Sequence, residues 1–177
     1  MLAYRDGDAA ALEALYRRWR GRLYRYLAHQ ARVEADELFQ DVWMRVIGAR
    51  TAYEATAKFS TWLFRIAHNR LMDHFRVQGR RIVDCPDDPA DDPVIEAPAP
   101  ETERPDAILA RRQKAGAILE TLAALPEPQR EVFLLSEEGG LSLEEIAQTT
   151  GVGRETAKSR MRYALARLRK ALNEYAS

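Results

Sequence analysis

Residues 141–172 read LSLEEIAQTTGVGRETAKSRMRYALARLRKAL, and this stretch decides the fold of the C-terminal half. Ser142 stands three residues before Glu145, the spacing of a capping box that opens a helix over Leu143–Thr149. Gly151 and Gly153 then break the periodicity with a tight turn, and a longer helix runs from about Arg154. Ile146 and the small Ala147 face the second helix and let it approach closely. A short helix, a glycine turn and a longer helix make a helix-turn-helix, whose second helix lies in a DNA major groove.

The charge of that second helix suits the role. Between Arg154 and Lys170 stand seven basic residues and one acid, Glu155. Lys158, Arg162 and Arg169 lie close to one face, with Ser159 and Tyr163 beside them. Arginine pairs bidentately with guanine edges, while lysine and serine mostly hold phosphates or read bases singly. A basic helix alone reads more readily as a solvated face over Met161, Leu165 and Leu168. The capped helix and glycine turn ahead of it favour DNA binding.

Upstream, the apolar spacing is again helical. Leu12, Leu15, Trp19, Leu23 and Tyr26 follow three-four spacing behind Asp8 as N-cap. Phe39, Val42, Trp43, Val46 and Ile47 repeat the pattern. Leu63, Ile66, Ala67, Leu71 and Phe75 form a third apolar side, for which Ser60 is the expected cap. In the C-terminal half, helices are expected over Ile108–Ala123 and near Glu127–Ser136, with a turn around Pro126 and Pro128, and the last helix extends to Tyr175. No stretch alternates with period two long enough to be a strand.

Between the halves lies RIVDCPDDPADDPVIEAPAPETERPDA, residues 81–107, with six of the eight prolines. Proline removes a backbone donor and biases its predecessor away from helix, and like charges repel, so an extended, mobile linker is expected. The chain is thus expected to be all-α, with two small helical domains joined by a flexible acidic proline-rich linker and a C-terminal helix-turn-helix. The domain boundaries are read as 1–80, 81–107 and 108–177.

The charge total hides this organisation. Over 177 residues, 27 Lys+Arg balance 27 Asp+Glu, which taken whole argues against a nucleic-acid partner. By segment the balance is +5 over 1–80, −7 over 81–107 and +2 over 108–177. Two basic domains are offset by an acidic linker. A hydrophobic content of 46% excludes wholesale disorder, and no apolar run approaches the ~20 residues of a membrane span. The charged, amphipathic N-terminus does not read as a signal peptide, and Cys85, the single cysteine, makes no internal disulfide. A cytoplasmic protein without membrane insertion is expected.

Four stretches now combine. GDAAALEALYRRW at 7–19, ADELFQDVWMRVI at 35–47, KFSTWLFRIAHNRLMDHFRVQGRR at 58–81 and the C-terminal motif resemble, in order and spacing, an extracytoplasmic-function sigma factor of the sigma-70 family. Such proteins are dissociable promoter-recognition subunits of bacterial RNA polymerase. The resemblance implies that residues 1–80 bind core polymerase and the −10 element, and that 108–177 bind the −35 element. It implies promoter DNA as partner, duplex at −35 and a melted strand at −10. It also implies an anti-sigma factor as inhibitor, a monomer when free, no cofactor, no metal and no catalysis.

Residue by residue, the resemblance places the polymerase grip on Asp36, Glu37, Leu38, Gln40 and Asp41. It places −10 contacts on Asn69 and Asp73, which share a helix face four residues apart. Asparagine offers donor and acceptor to a base edge, whereas aspartate only accepts. The loop RTAYEATAKFS at 50–60 matches the family's base-capturing loop, with Tyr53 and Phe59 as stacking rings and Lys58 as a charge contact. Trp62 reads as core. Arg65, Arg76, Arg80 and Arg81 fall where the phosphate backbone is held. The −35 contacts fall on Lys158, Ser159, Arg162 and Tyr163, with Arg154 nearer the phosphates. The chain has Glu155-Thr156-Ala157 where the family often has Gly-Thr-Val.

Two other classes are weighed, with an interaction scaffold carrying a degenerate helix-turn-helix as a third possibility. A helix-turn-helix regulator outside the sigma family, with residues 1–80 as a helical sensor, is the alternative. An enzyme fits poorly: His29, His68 and His74 are the only histidines, and 68 and 74 are six apart rather than four. No phosphate-cradling glycine loop or nucleophile constellation is present.

Overall fold

The computed structural model describes residues 1–79 and 105–174, with side chains described over 1–79 and 115–173. Arg80, Arg81 and most of the linker reading fall outside this set, but Pro105–Ala107, read as the end of the linker, are helical and begin the first helix of the C-terminal half. Among the described residues there are eight helices and no strand: α1 (Leu2–Arg5), α2 (Ala9–Gln30), α3 (Ala35–Gly48), α4 (Phe59–Val77), α5 (Pro105–Ala124), α6 (Glu127–Glu137), α7 (Leu143–Thr150) and α8 (Arg154–Glu174). No helix among them is long and apolar enough to cross a membrane.

Local chemistry sets most of the ends. Asp8 accepts from the Ala10 and Ala11 amides at 2.9 and 3.3 Å and starts α2. Ser60 does not cap α4. The helix begins one residue earlier, after the extended Lys58, and Ser60 sits buried inside its first turn. Pro126 and Pro128 open α6, where a missing amide costs nothing. The capping box of α7 is complete: Ser142 Oγ accepts from Glu145 N–H at 3.3 Å, and Ser142 N–H donates to Glu145 Oε2 at 2.8 Å. α7 ends at Gly151, whose φ of +72° is the left-handed cap that glycine adopts without steric cost. Four-residue α1, which contributes buried Tyr4, has no counterpart in the sequence reading.

In the N-terminal half α3 packs on both α2 and α4, around Leu23, Tyr26, Leu27, Val42, Val46, Phe64 and Leu71. In the C-terminal half α5, α6 and α7 all pack on α8, around Leu122, Leu135, Ile146, Ala157 and Ala164. These are not two separate cores. α2 packs on α6 and α4 on α7, and the buried residues of both halves form one continuous cluster. Where they meet, Gly139 stands so close to Phe64 that a Cβ would lie 3.2 Å from the ring and 2.6 Å from both the Leu135 carbonyl and the Leu141 side chain. Only glycine fits there.

Candidate functional site

The helix-turn-helix is built as its sequence predicts. Thr149 and Thr150 turn their hydroxyls back to the Glu145 and Ile146 carbonyls at 2.7 and 2.9 Å, closing the end of α7. Val152 N–H reaches the Ala147 carbonyl at 3.1 Å, which fixes the turn. Ala157 and Ala164 bury the inner side of α8. Arg154, Glu155 and Lys158 are exposed, and Ser159, Arg162 and Tyr163 are half-buried. Arg154 Nε lies 3.9 Å from Glu144 at the head of the helix, and the Arg162 guanidinium lies over the Tyr163 ring at 5.3 Å. The five expected −35 residues therefore stand along the first three turns of one helix.

The loop before α4 is less uniform. Lys58 is exposed and Phe59 is half-buried between Trp19 and Trp62, with centroids 6.3 and 5.8 Å away. Tyr53 is only 5% exposed, with its ring edge-on to Trp62 at 4.9 Å. Burial also raises the pKa of its phenol. In this conformation Tyr53 supports the loop from below, and Trp62 is its half-buried partner.

Along α4, Asn69 is exposed. Asp73 is not an isolated acceptor: Arg76 donates to it at 3.3 Å, and Arg45 of α3 lies 4.0 Å away. Arg65 and Arg76 are exposed on the same helix.

On α3, the expected surface divides. Asp36, Glu37 and Gln40 are exposed, and Asp41 is half-buried, accepting from Arg70 Nε at 2.7 Å. Leu38 departs from expectation. It is fully buried and belongs to the core, because it lies on the opposite side of the helix from Gln40. Sequence reasoning missed an apolar extension of this face. Met44 is 66% exposed and Ile47 is exposed too. They continue the Glu37, Gln40 and Asp41 row at three- and four-residue spacing, a signal that the sequence carries. Tyr16, Tyr24, Phe39 and Trp43 meet edge to face beside it. The Tyr24 phenol bonds Asp36, which raises the phenol's pKa. An acidic, amide-bearing row flanked by exposed apolar groups is chemistry for a protein partner.

Comparison with known proteins agrees with this arrangement. Residues 12–81 match Sigma-70 region 2 and residues 115–168 match Sigma-70, region 4. The RNA polymerase sigma factor CarQ of Myxococcus xanthus is 32% identical over 98% of this chain and 96% of its own length. The ECF RNA polymerase sigma factor RpoE of Cereibacter sphaeroides is 30% identical over 98% of this chain and 93% of its own. Among solved structures, the sigma factor RpoE bound to the anti-sigma factor NepR from Bartonella quintana gives a TM-score of 0.64 at 24% identity, covering 91% of this chain and 96% of that one. CnrH in complex with the cytosolic domain of CnrY gives 0.62 at 23% identity, over 96% and 92%. These two likenesses concern the fold. The chain belongs to the sigma-70 family, in its extracytoplasmic-function group, and is an alternative sigma factor of RNA polymerase, not an enzyme.

Proposed function

We propose that residues 1–80 carry the core-polymerase and −10 functions, that 108–177 carry the −35 function, and that 81–107 link them. The observation that carries this division is α8: a basic helix presented by a capped α7 and a left-handed glycine turn. Arg154 lies toward the phosphates, and Lys158, Ser159, Arg162 and Tyr163 enter the major groove. In the N-terminal half, Lys58 and Phe59 flank the captured base of the melted strand, with Tyr53 supporting the loop. Asn69 and Asp73 read base edges, while Arg76 and Arg80 hold phosphates. Unstacking a base costs a few kcal/mol and is recovered only where the base fits, which supplies selectivity.

Asp36, Glu37, Gln40 and Asp41 form the polymerase face, and Met44 extends it. Leu38 holds α3 in register from the core side. The partners are core RNA polymerase, promoter DNA and an anti-sigma factor, the last supported by the structural neighbour solved with its anti-sigma factor. The place of action is the cytoplasm, and the free chain is a monomer.

Transcription in vitro with core polymerase on a promoter-fragment library tests this reading. Start sites should share two spaced elements. Lys158→Ala with Arg162→Ala should lower −35 duplex affinity about 30-fold, at ~1–3 kcal/mol for a bidentate base contact. Failure of the labelled chain to co-purify with core polymerase would overturn the assignment.

A further inference from the structure

Residues 50–58, between α3 and α4, form neither helix nor strand, so side chains must fix what backbone ladders do not. The Tyr53 ring meets Trp62 edge-on at 4.9 Å. Two further contacts come from α1. Arg5 Nη1 donates to the Tyr53 carbonyl at 3.4 Å. The Arg50 guanidinium lies over the Tyr4 ring, 4.8 Å from its centroid. Tyr4 is buried, so its ring is a fixed platform rather than a surface group. α1 is itself tied to α2. Asp8, the cap of α2, donates its N–H to the Ala3 carbonyl at 2.9 Å. Gly7 makes the intervening turn at φ +116°, a value that glycine adopts without steric cost. The loop is thus held from α1 at residues 50 and 53.

We propose that Tyr4, Arg5 and Arg50 are positioning residues for base selection at the −10 element, with α1 bracing the capture loop in the shape that accepts one base. This rests on the assignment of residues 50–60 to the melted strand. The bland reading of two arginines beside such a loop is that they hold phosphates. Their geometry argues otherwise. Arg50 is half-buried with its guanidinium on Tyr4, and Arg5 is divided between the Tyr53 carbonyl and the Asp6 carboxylate, to which its Nε donates at 3.0 Å. Neither contact uses Lys58 or Phe59, the residues assigned to the base.

The brace matters because selectivity requires a loop shaped before the base arrives. A loop ordered only on binding loses conformational entropy with every base alike, and it remoulds around the wrong one. A loop clamped beforehand loses less and resists remoulding, so the unstacking cost is recovered only by the base that fits.

The test uses holoenzyme assembled from the full chain and core polymerase on the promoter-fragment library, with start-site counts sorted by base at each −10 and −35 position. Tyr4→Ala should flatten the preference at one −10 position about fivefold, as for a lost cation–π contact. Arg5→Ala should flatten it about threefold, as for a partly exposed hydrogen bond. Arg50→Ala should match Tyr4→Ala, and the double variant should go no further, as for two ends of one contact. Tyr4→Phe keeps the ring and should keep the parental preference. Arg5 is exposed, so the urea midpoint of Arg5→Ala should match the parent even where Tyr4→Ala is destabilised. Parental −10 preference in Tyr4→Ala and Arg5→Ala would overturn the brace. So would a loss of transcription spread evenly over all bases, or a flattening that reaches the −35 positions. Lys58→Ala and Phe59→Ala separate the underlying reading. If they change the −10 preference while the α1 variants do not, the brace fails and the loop assignment stands. If they leave it unchanged, the loop assignment itself fails and the brace falls with it.

Discussion

Glu145 joins local and long-range structure in one side chain. One carboxylate oxygen completes the capping box of α7, and the other meets Thr61 and Lys58 across the molecule. The Ser142 amide foremost, then the Thr61 and Ser142 hydroxyls and Lys58, hold its carboxyl below the ordinary 4.5, against the opposing effect of partial burial. A carboxylate with a depressed pKa in the folded state stabilises fully above its unfolded value. That stabilisation is lost as pH falls through the folded value. Urea unfolding across a pH series should therefore show stability declining from about pH 4.5 downward, with a shallower decline in Glu145→Gln. Glu145→Ala keeps the Ser142 Oγ cap but removes the acceptor of the Ser142 amide, half of the capping box, and should cost about 1 kcal/mol at neutral pH. The capping half of this residue was legible, because Ser142 and Glu145 are three apart. The Thr61 half was not, because 84 residues separate the partners. Leu38 and Tyr53 failed to read correctly for a related reason: a residue type and a motif position do not say which side of an element faces inward.

At the scale of elements, the turn between α7 and α8 sets how the basic helix is aimed. Gly151 has φ +72° with nothing near the position of a Cβ. Its substitution is thus penalised by backbone conformation alone. Gly151→Ala should lower stability by ~1–2 kcal/mol, read as a shift in the urea midpoint, and Gly151→Asn should recover much of it because asparagine visits the left-handed region. α3 offers a different test. Met44 is exposed and carries no core contact, so Met44→Glu should leave unfolding within about 0.5 kcal/mol of the parent. Its affinity for core polymerase should nevertheless fall about tenfold in a binding titration, as for an anchor at the centre of an interface. The helices were legible because each combines a cap or breaker with three-four apolar spacing. α1 was missed because four residues are too few to show a period.

At the scale of the molecule, periodicity gave two helical halves but nothing about their contact. Each apolar side is satisfied by neighbours in its own half as far as any local pattern shows, and Glu131 reads from sequence as an ordinary surface acid. In the structure it is buried, and its Oε1 meets Tyr26 Oη of α2 at 3.1 Å and His68 Nδ1 of α4 at 2.6 Å across the two halves. Cooperativity should follow. When buried groups of both halves form one cluster, losing either half exposes the surface of the other, so neither is stable to the same degree alone. Differential scanning calorimetry should show one transition, with calorimetric and van't Hoff enthalpies equal. Leu135→Ala is in the C-terminal half, and its cavity should cost ~2–5 kcal/mol. It should lower that single midpoint as a whole, with near-ultraviolet signals from Trp19 and Trp62 in the N-terminal half following it. His68→Ala should behave differently. It leaves the packing of α6 on α8 untouched but strands the Glu131 carboxylate without its shortest partner, so the contact between the halves is lost before either half unfolds. The single transition should then divide into two, the lower belonging to the less stable half. A single transition in the wild type that stays single in His68→Ala would mean that apolar packing alone couples the halves, and that the polar knot adds only specificity of register.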